Sequence, residues 1–203
     1  LLNDLVRRRE LLLILIQRNI KIRYKTSALG FFWTLLSPIL LIAIYYAFLR
    51  IMRFDMDLPA LVVGIVVWQY LAMSVGDSLH TVIGSVSMVK KSAFPRIVLP
   101  LSMTLANLVN FLLSLLVVAL YLLFSGRLDS MFYYLPVAIM AHLALVVGTS
   151  CLFAAVNVFF RDLEHIVSMG MMAWFFMTPV IYPIDLVTER FGPAVCRIYF
   201  MNP

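Results

Sequence analysis

The chain has 203 residues, of which 64% are hydrophobic and 13% are charged, and it carries a net charge of +6. A soluble domain is about half apolar and a quarter charged, so the composition excludes an ordinary soluble protein. The basic residues lie between apolar stretches, which argues against a nucleic-acid-binding surface. The predicted class is all-α: a polytopic helical membrane protein.

Five stretches of 19 to 31 residues contain no Asp, Glu, Lys or Arg: 26–49, 58–76, 97–126, 130–160 and 166–184. A membrane-spanning helix needs about 20 mostly apolar residues. A charged side chain at the bilayer centre costs about 2.5–3.5 kcal/mol on the insertion scale. These stretches therefore predict five spans, at 28–49, 59–76, 99–124, 134–158 and 167–182.

The segments between the spans differ in basic residues. Alternate segments, beginning with the N-terminal one, hold eleven Lys and Arg, whereas the other set holds five. The richer set belongs in the cytoplasm by the positive-inside rule. The N-terminus is therefore predicted to be cytoplasmic, and contact with anionic lipids is a second role for these charges.

Residues 1–22 form a predicted amphipathic helix on the membrane surface. Its apolar face would include Leu12, Leu13 and Ile16, whereas Ile14 and Leu15 depart from the pattern. Such a helix beside a span rests in the headgroup plane. Two interpretations remain open: the helix is only an anchor, or it also docks a partner subunit.

Segment 77–96 is too polar to span. It predicts an inside loop with a short helix over about 82–91, ended before Pro95 because a residue preceding proline avoids the α region. The tail 185–203 is also too polar in its first half to span. Five spans from an inside N-terminus leave this tail outside, so we expect a sixth span beyond it.

Few polar groups lie within the predicted spans. Asn107, Asn110 and Ser114 share one face of the third span, where interhelical hydrogen bonding is the first interpretation and a substrate-lining role the second. His142 lies in the fourth span. An intramembrane ionisable residue is a functional candidate, but a packed or water-facing structural role is favoured because its own span holds no acidic partner.

The chemistry that an enzyme would need is absent from these 203 residues. No Gly-Lys-Ser/Thr occurs, so there is no P-loop, and neither HExxH nor G-x-S-x-G is present. Cys151 and Cys196 have no metal-site spacing. The chain is predicted to be neither an enzyme nor the carrier of a cofactor. A secondary transporter or channel, and a membrane scaffold or lipid-modifying enzyme, remain alternatives.

Three sequence strings go further than composition. RYKTSALGFFWTLLSP occupies 23–38, KKSAFPRIVLP occupies 90–100, and FFRDLEHI at 159–166 is followed by WFFMTPVIYP at 174–183. In order and spacing they resemble the permease subunits of ABC exporters for cell-surface polysaccharides, namely O-antigen, capsule and teichoic acid transporters. The resemblance covers nearly the whole chain.

The resemblance implies a homodimer in the cytoplasmic membrane of a bacterium, moving a lipid-linked polysaccharide. Two separate ATPase subunits would bind ATP and magnesium. Residues 1–22 would be the interface helix, and 82–94 the coupling segment that sits against the ATPase. The implied ATPase-docking residues are Ser85, Ser87, Met88, Lys90, Lys91, Phe94 and Arg96.

The resemblance also implies a channel lined by the first and fifth spans of both protomers. Aromatic rings with polar tips suit a sugar chain that must slide, because they offer flat faces without fixed charge. The implied lining residues are Phe31, Trp33, Tyr45, Tyr46, Trp174, Phe175, Phe176 and Tyr182. Interfacial belts or core packing are the alternative. Arg161 and Asp162 would brace the third inside loop or cap a turn, and 185–203 would form a re-entrant segment at the outer mouth.

Overall fold

The computed structural model describes residues 9–25, 29–51, 53, 58–84, 95–124, 126, 133–160 and 162–182, with positions 187, 188, 196 and 199. Every longer regular element in these ranges is helical, which confirms the all-α fold class. A 3-10 turn, Gly30–Phe32, precedes the second helix. The α-helices are α1 (Arg9–Tyr24), α2 (Trp33–Ile51), α3 (Leu58–Leu79), α4 (Thr81–Gly84), α5 (Val98–Phe124), α6 (Leu135–Asn157) and α7 (Leu163–Met177).

Among the described helices, α3, α5 and α6 are long and apolar enough to cross a membrane. With 22 residues, α3 is about 33 Å long at 1.5 Å per residue, which matches a hydrocarbon core about 30 Å thick. This makes the chain a multi-pass membrane protein. The apolar helix α7 has 15 residues, or about 22 Å, so the five-span count stays a prediction.

Prolines lie at the ends of several helices. Pro136 lies in the first turn of α6, where a backbone N–H would have no hydrogen-bond partner within the helix. Thr178 ends α7 in an extended conformation, with φ −97° and ψ 137°. The following residue is Pro179, whose ring disfavours an α conformation at the residue before it. This proline accounts for the shortness of α7.

The centre of the bundle is α3, which packs most extensively against α5 and α6 and also contacts α2 and α7. Its side chains contribute to two apolar clusters. One contains Val66 and Tyr70 with Phe111 of α5, and the other contains Leu61 and Ile65 with Phe175 of α7. A helix that is buried on several sides must be apolar nearly all round, as α3 is.

Small polar residues occur where these helices approach one another. Ser74 and Ser78 of α3, Ser102 and Thr104 of α5, and Ser150 of α6 are all buried. Small side chains let helix backbones come close in a membrane, where packing supplies much of the association energy. The seam between α3, α5 and α6 is therefore closely packed.

Helix α1 packs along the first turns of α5. Leu15, only 3% exposed, forms a cluster with Val98 and Leu99. The amphipathic pattern predicted for this helix is not confirmed, because Leu13, placed on the apolar face, is exposed and Leu15, treated as a departure, is the most buried. The reason is that the side of α1 that packs against Val98 and Leu99 carries Leu11, Leu12 and Leu15.

Gly64 of α3 lies close to the turn after α7. A Cβ at this position would lie 3.1 Å from Val180 Cγ1. We expect Gly64→Leu to destabilise the protein by about 1–3 kcal/mol through overpacking, and Val180→Ala to restore most of the loss. Thermal melting of the purified protein in detergent measures the change.

The matched control is Gly148→Leu, because no described atom lies within 4 Å of a Cβ at Gly148. This variant should melt close to the unsubstituted protein. Equal melting temperatures for the two glycine variants would contradict the close approach between α3 and the turn after α7.

Candidate functional site

A polar junction lies where the end of α1 meets α3 and α5. Arg23 Nη2 donates to Asp77 Oδ2 and forms an ion pair with it. Asn107 Nδ2 donates to the same carboxylate oxygen at 3.0 Å. A charge within an apolar bundle is costly unless it is paired and hydrogen-bonded. This polar junction of Arg23, Asp77 and Asn107 therefore explains how a carboxylate is accommodated near the end of α3.

Three further hydrogen bonds extend the attachment of α1. The Tyr24 hydroxyl hydrogen-bonds to the Thr34 hydroxyl at the start of α2, and it donates to Asn110 Oδ1 at 3.2 Å. Asn19 Nδ2 donates to Ser102 Oγ at 3.2 Å. The end of α1 is thus bonded to α2, α3 and α5. Asn110 takes part in the interhelical hydrogen bonding that the third span predicted.

A cavity of about 260 Å³ adjoins the polar junction, between α1, α2, α3 and α5. Two atoms of its lining residues, Arg23 Nη1 and Asn107 Oδ1, are buried and have no hydrogen-bond partner among the described residues. The cavity is lined by Arg23, Tyr24, Trp33, Thr34, Ser37, Val66, Gln69, Tyr70, Met73, Asn107, Asn110, Phe111 and Ser114. Its wall combines aromatic rings with amides and hydroxyls.

An aromatic cluster joins α2, α3 and α7. The ring of Phe175 lies 5.6 Å from Tyr45 and 5.3 Å from Trp68, and Trp68 meets Trp174 edge-on at 5.9 Å. These separations are those of favourable aromatic pairs. Trp68 was not among the predicted lining residues. The only signal for it in the sequence was an aromatic residue within the predicted second span.

The predicted channel-lining residues differ widely in exposure. Phe175 is 7% exposed and packs inside the protomer, whereas its neighbour Phe176 is 50% exposed. The rest of the set is placed as follows: Trp33 and Tyr46 exposed, Tyr45, Trp174 and Tyr182 partly buried, and Phe31 described only through its backbone in the 3-10 turn. The lining role itself stays a prediction.

His142 faces the interior of the bundle. Its Nε2 lies 3.2 Å from the carbonyl oxygen of Val67. Its ring lies 5.6 Å from that of Tyr70 and 6.0 Å from that of Phe111. The imidazole is therefore packed between α3, α5 and α6 and bonded to a backbone group, which agrees with the structural role favoured from the sequence.

The predicted docking residues lie mostly outside the described part of the chain. This applies to Ser85, Ser87, Met88, Lys90, Lys91 and Phe94, and also to Arg161 of the third inside loop. Arg96 is described: it is exposed in the turn before α5, and its carbonyl accepts from the Leu99 N–H at 3.2 Å. Asp162 directly precedes α7, and its carbonyl accepts from the Ile166 N–H at 3.3 Å.

The ends of α3 and α7 are connected by groups that sequence reasoning missed. His80 Nε2 lies 3.3 Å from Glu164 Oε1. Asn157 Nδ2, at the end of α6, donates to the Leu79 carbonyl at 2.8 Å and so satisfies a free carbonyl at the end of α3. The only sequence signal was a titratable residue on each of two predicted inside loops. These contacts link the second and third loops.

The three long apolar helices, with α1 bonded to two of them, define an α-helical multi-pass membrane protein. The chain belongs to the ABC-2 type transporter family, which it matches over residues 10–203. This membership confirms the resemblance identified from the three sequence strings.

Three curated relatives, each named O-antigen export system permease protein RfbA, are similar to the chain. Two are from Klebsiella pneumoniae, and each is 34% identical over 188 residues, covering 90% of this chain and 73% of the relative. The third, from Myxococcus xanthus, is 36% identical over 194 residues, covering 94% of this chain and 75% of the relative.

Proposed function

We propose that this protein is the permease subunit of an ABC exporter that moves a lipid-linked, O-antigen-like polysaccharide across the bacterial cytoplasmic membrane. The observation that carries the proposal is its similarity, over most of its length, to proteins named as O-antigen export permeases. ATP would be hydrolysed by a separate partner subunit, since the 203 residues contain no P-loop.

The attachment of α1 supports a route for coupling. Residues 85–94 connect α4 to the turn before α5. Helix α1 packs on the first turns of α5 and is bonded through Arg23 to the last turns of α3. An ATPase that moves the coupling segment 82–94 would therefore displace α1 together with the inner ends of α3 and α5. Through Tyr24 and Thr34 the same displacement reaches α2.

The exposed faces of α2 and α7 support a homodimer with a channel between its copies. On α7, Met169 is 73% exposed and Phe176 is 50% exposed. On α2, Ile44 and Phe48 are exposed. These faces are free to contact lipid, a second copy or the glycan. In this proposal α2 and α7 correspond to the first and fifth of five spans, and the N-terminus is cytoplasmic.

The alternative of a secondary transporter without an ATPase is not favoured. Ion-coupled transporters use ionisable groups within their spans. In the described spans His142 is packed against aromatic rings and bonded to a carbonyl, and Asp77 is neutralised by Arg23. Neither group is arranged as a proton relay.

Charge reversal in the coupling segment tests the proposed docking of the ATPase. The double variant Lys90→Glu/Lys91→Glu should reduce co-purification of the ATPase at least about fivefold, because two cations at the interface become anions and steering by opposite charge is lost. Affinity purification of the tagged permease from membranes, followed by quantification of the ATPase band, measures the effect.

Arg127→Glu is the control, because this residue lies in a segment predicted to face the other side of the membrane. It should leave co-purification intact, and all variants should insert into the membrane in equal amounts. Undiminished recovery of the ATPase with the Lys90/Lys91 double variant would remove these lysines from the docking role. Loss of glycan export on deletion of the permease gene tests the function itself.

A further inference from the structure

A cleft of about 270 Å³ lies between α4, the turn before α5, and the last turns of α6. It is called the α5–α6 cleft below. The two loops that border it, 77–96 and 159–166, are both predicted to lie inside the cell. Its described lining includes no residue of α2 or α7. The cleft is therefore at the cytoplasmic end of the bundle and apart from the proposed channel.

The walls of the α5–α6 cleft are accessible from outside the bundle. Val158 is 43% exposed, and Ala155 and Arg96 are also exposed. The floor is formed by Pro100 and Ala154, which are buried. A ligand that enters the cleft therefore meets the side walls and the Arg96 side chain directly.

The depth and direction of the cleft relate it to the inner leaflet. Along α6 it runs from Cys151 to Val158, which is about 10 Å at 1.5 Å per residue. One leaflet is half of a hydrocarbon core about 30 Å thick, so the cleft covers about two thirds of its depth. Leu152 and Ala155 follow at i and i+3 on this side of α6, and both are exposed. This face is apolar and meets lipid.

The cation at the rim is available for a ligand. Arg96 is the charged residue of the described lining. The ion pairs among the described residues join Arg23 to Asp77 and His80 to Glu164, and neither involves Arg96. A guanidinium binds phosphate through parallel N–H···O bonds, and an Arg stem can lie along apolar surface while its head reaches the headgroups. The rim therefore suits an anionic headgroup.

The walls disfavour a peptide or a glycan as occupant. They are largely aliphatic, with Val82, Ile97 and Val158, and the polar side chains of the described lining are Arg96 and the Cys151 thiol. A peptide would set its backbone N–H and C=O groups against carbon, and a sugar would do the same with its hydroxyls. Polar groups without partners are costly there. An acyl chain has no such groups.

We propose that the α5–α6 cleft binds one anionic phospholipid of the inner leaflet. One acyl chain lies between α5 and α6, and the phosphate bonds to Arg96. Arg96 thus has a role other than the ATPase docking that the resemblance implied, whereas docking stays with the segment 82–94. Because Val82 begins that segment and lines the cleft, the lipid contacts the coupling segment and α6 together. The proposal does not depend on which polymer is exported.

The test uses the permease purified with its ATPase in a mild detergent. Native mass spectrometry measures the apparent Kd of phosphatidylglycerol and of phosphatidylcholine with the same acyl chains. Phosphatidylglycerol should bind at least about threefold tighter, because it alone carries a net negative charge. Glycerophosphate, which has the phosphate without the chains, should not displace it.

Three variants and a control locate the lipid. Arg96→Gln should weaken phosphatidylglycerol binding about fivefold, the contribution of one cation near an anionic surface, whereas Arg96→Lys should retain it. Ala155→Leu narrows the groove and should weaken binding about tenfold, as the loss of about two buried CH₂ groups would. Ala144→Leu is the control, because Ala144 is an exposed alanine of α6 outside the described lining. Equal melting temperatures separate loss of binding from loss of folding.

Several results would overturn the inference. Binding that is unchanged in both Arg96→Gln and Ala155→Leu would place the lipid elsewhere. Weakening in only one of them would leave a surface cation without a groove, or a groove without headgroup recognition. Tighter binding of a polyprenyl phosphate, lost in the same variants, would assign the cleft to a carrier lipid. Lower recovery of the ATPase with Arg96→Gln, at unchanged lipid binding, would return Arg96 to docking.

Failure of the inference is distinguishable from failure of the proposed function. Lipid binding is measured on the purified protein, whereas glycan export is measured in a strain that lacks the permease gene and carries each variant. If export requires the protein and the cleft variants bind phosphatidylglycerol normally, only the inference fails. If export proceeds without the protein, the proposed function fails whatever the lipids do.

Discussion

Export of surface glycan is expected to fall at least about tenfold in Arg23→Glu and to recover in the double variant Arg23→Glu/Asp77→Arg. In the single variant two carboxylates face each other where α1 meets α3, and Asn107 Nδ2 can satisfy only one of them. Breaking a fully buried pair costs about 3–5 kcal/mol. Because these two side chains are 24% and 36% exposed, we expect about 1–3 kcal/mol.

Recovery in the double variant has a geometric basis. With the charges exchanged, the amide of Asn107 can rotate so that Oδ1, which has no partner among the described residues, accepts from the introduced guanidinium. A double-mutant cycle on thermal stability should give a coupling energy of at least about 1 kcal/mol, as contacting residues do. Export rates in a strain lacking the gene give the functional measure.

Arg18 supplies the matched control, because it lies exposed on the same helix α1. Arg18→Glu should change stability by less than about 0.5 kcal/mol, as surface substitutions do, and Asp77→Arg should not be rescued by it. If the Arg23/Asp77 double variant exported no better than the worse of its two single variants, the polar junction would not be what attaches α1 to α3.

Replacement by alanine should affect stability at Phe175 but hardly at its neighbour Phe176. Phe175→Ala removes a ring packed against Tyr45 and Trp68. It should destabilise the protein by about 2–3 kcal/mol, below the roughly 3–5 kcal/mol of soluble cores, because lipid rather than water surrounds the bundle. Phe176, which is half exposed, should change thermal stability by less than about 0.5 kcal/mol.

Export separates packing from lining at these two positions. If Phe176 lines the channel, Phe176→Ala should reduce glycan export several-fold while the melting temperature stays unchanged. Phe176→Tyr should export normally, because a flat aromatic face is kept at this position. Full export by Phe176→Ala in membranes with normal protein levels would exclude Phe176 from the lining. A melting temperature of Phe175→Ala equal to that of the unsubstituted protein would contradict its packing in the cluster.

The class of the fold could be predicted because charge is costly in lipid whatever the tertiary arrangement. The uncharged stretches around α3, α5 and α6 are each long enough to span, and this property is local. The end of α7 was predicted less accurately. The predicted span ran over 167–182, and the helix ends at Met177 because Pro179 forces Thr178 into an extended conformation.

The site was predicted less completely than the fold. Sequence position identified Phe175 and Phe176 as neighbours in one aromatic run, but only packing separates a buried ring from an exposed one. Arg23 and Asp77 were both visible as charges at the ends of predicted spans. Their pairing across 54 positions of sequence was not, because no periodicity connects two residues on different helices.

From the sequence alone follow the helical membrane class, the segments that avoid charge and membership of a permease family, because composition, span length and local motifs are properties of neighbouring residues. The tertiary structure alone decided that α1 is bonded to α3 and α5, that Phe175 is buried, and that residues of α1, α2, α3 and α5 line one cavity. These features depend on which helix faces meet, and distant residues determine that together through packing and hydrogen bonding.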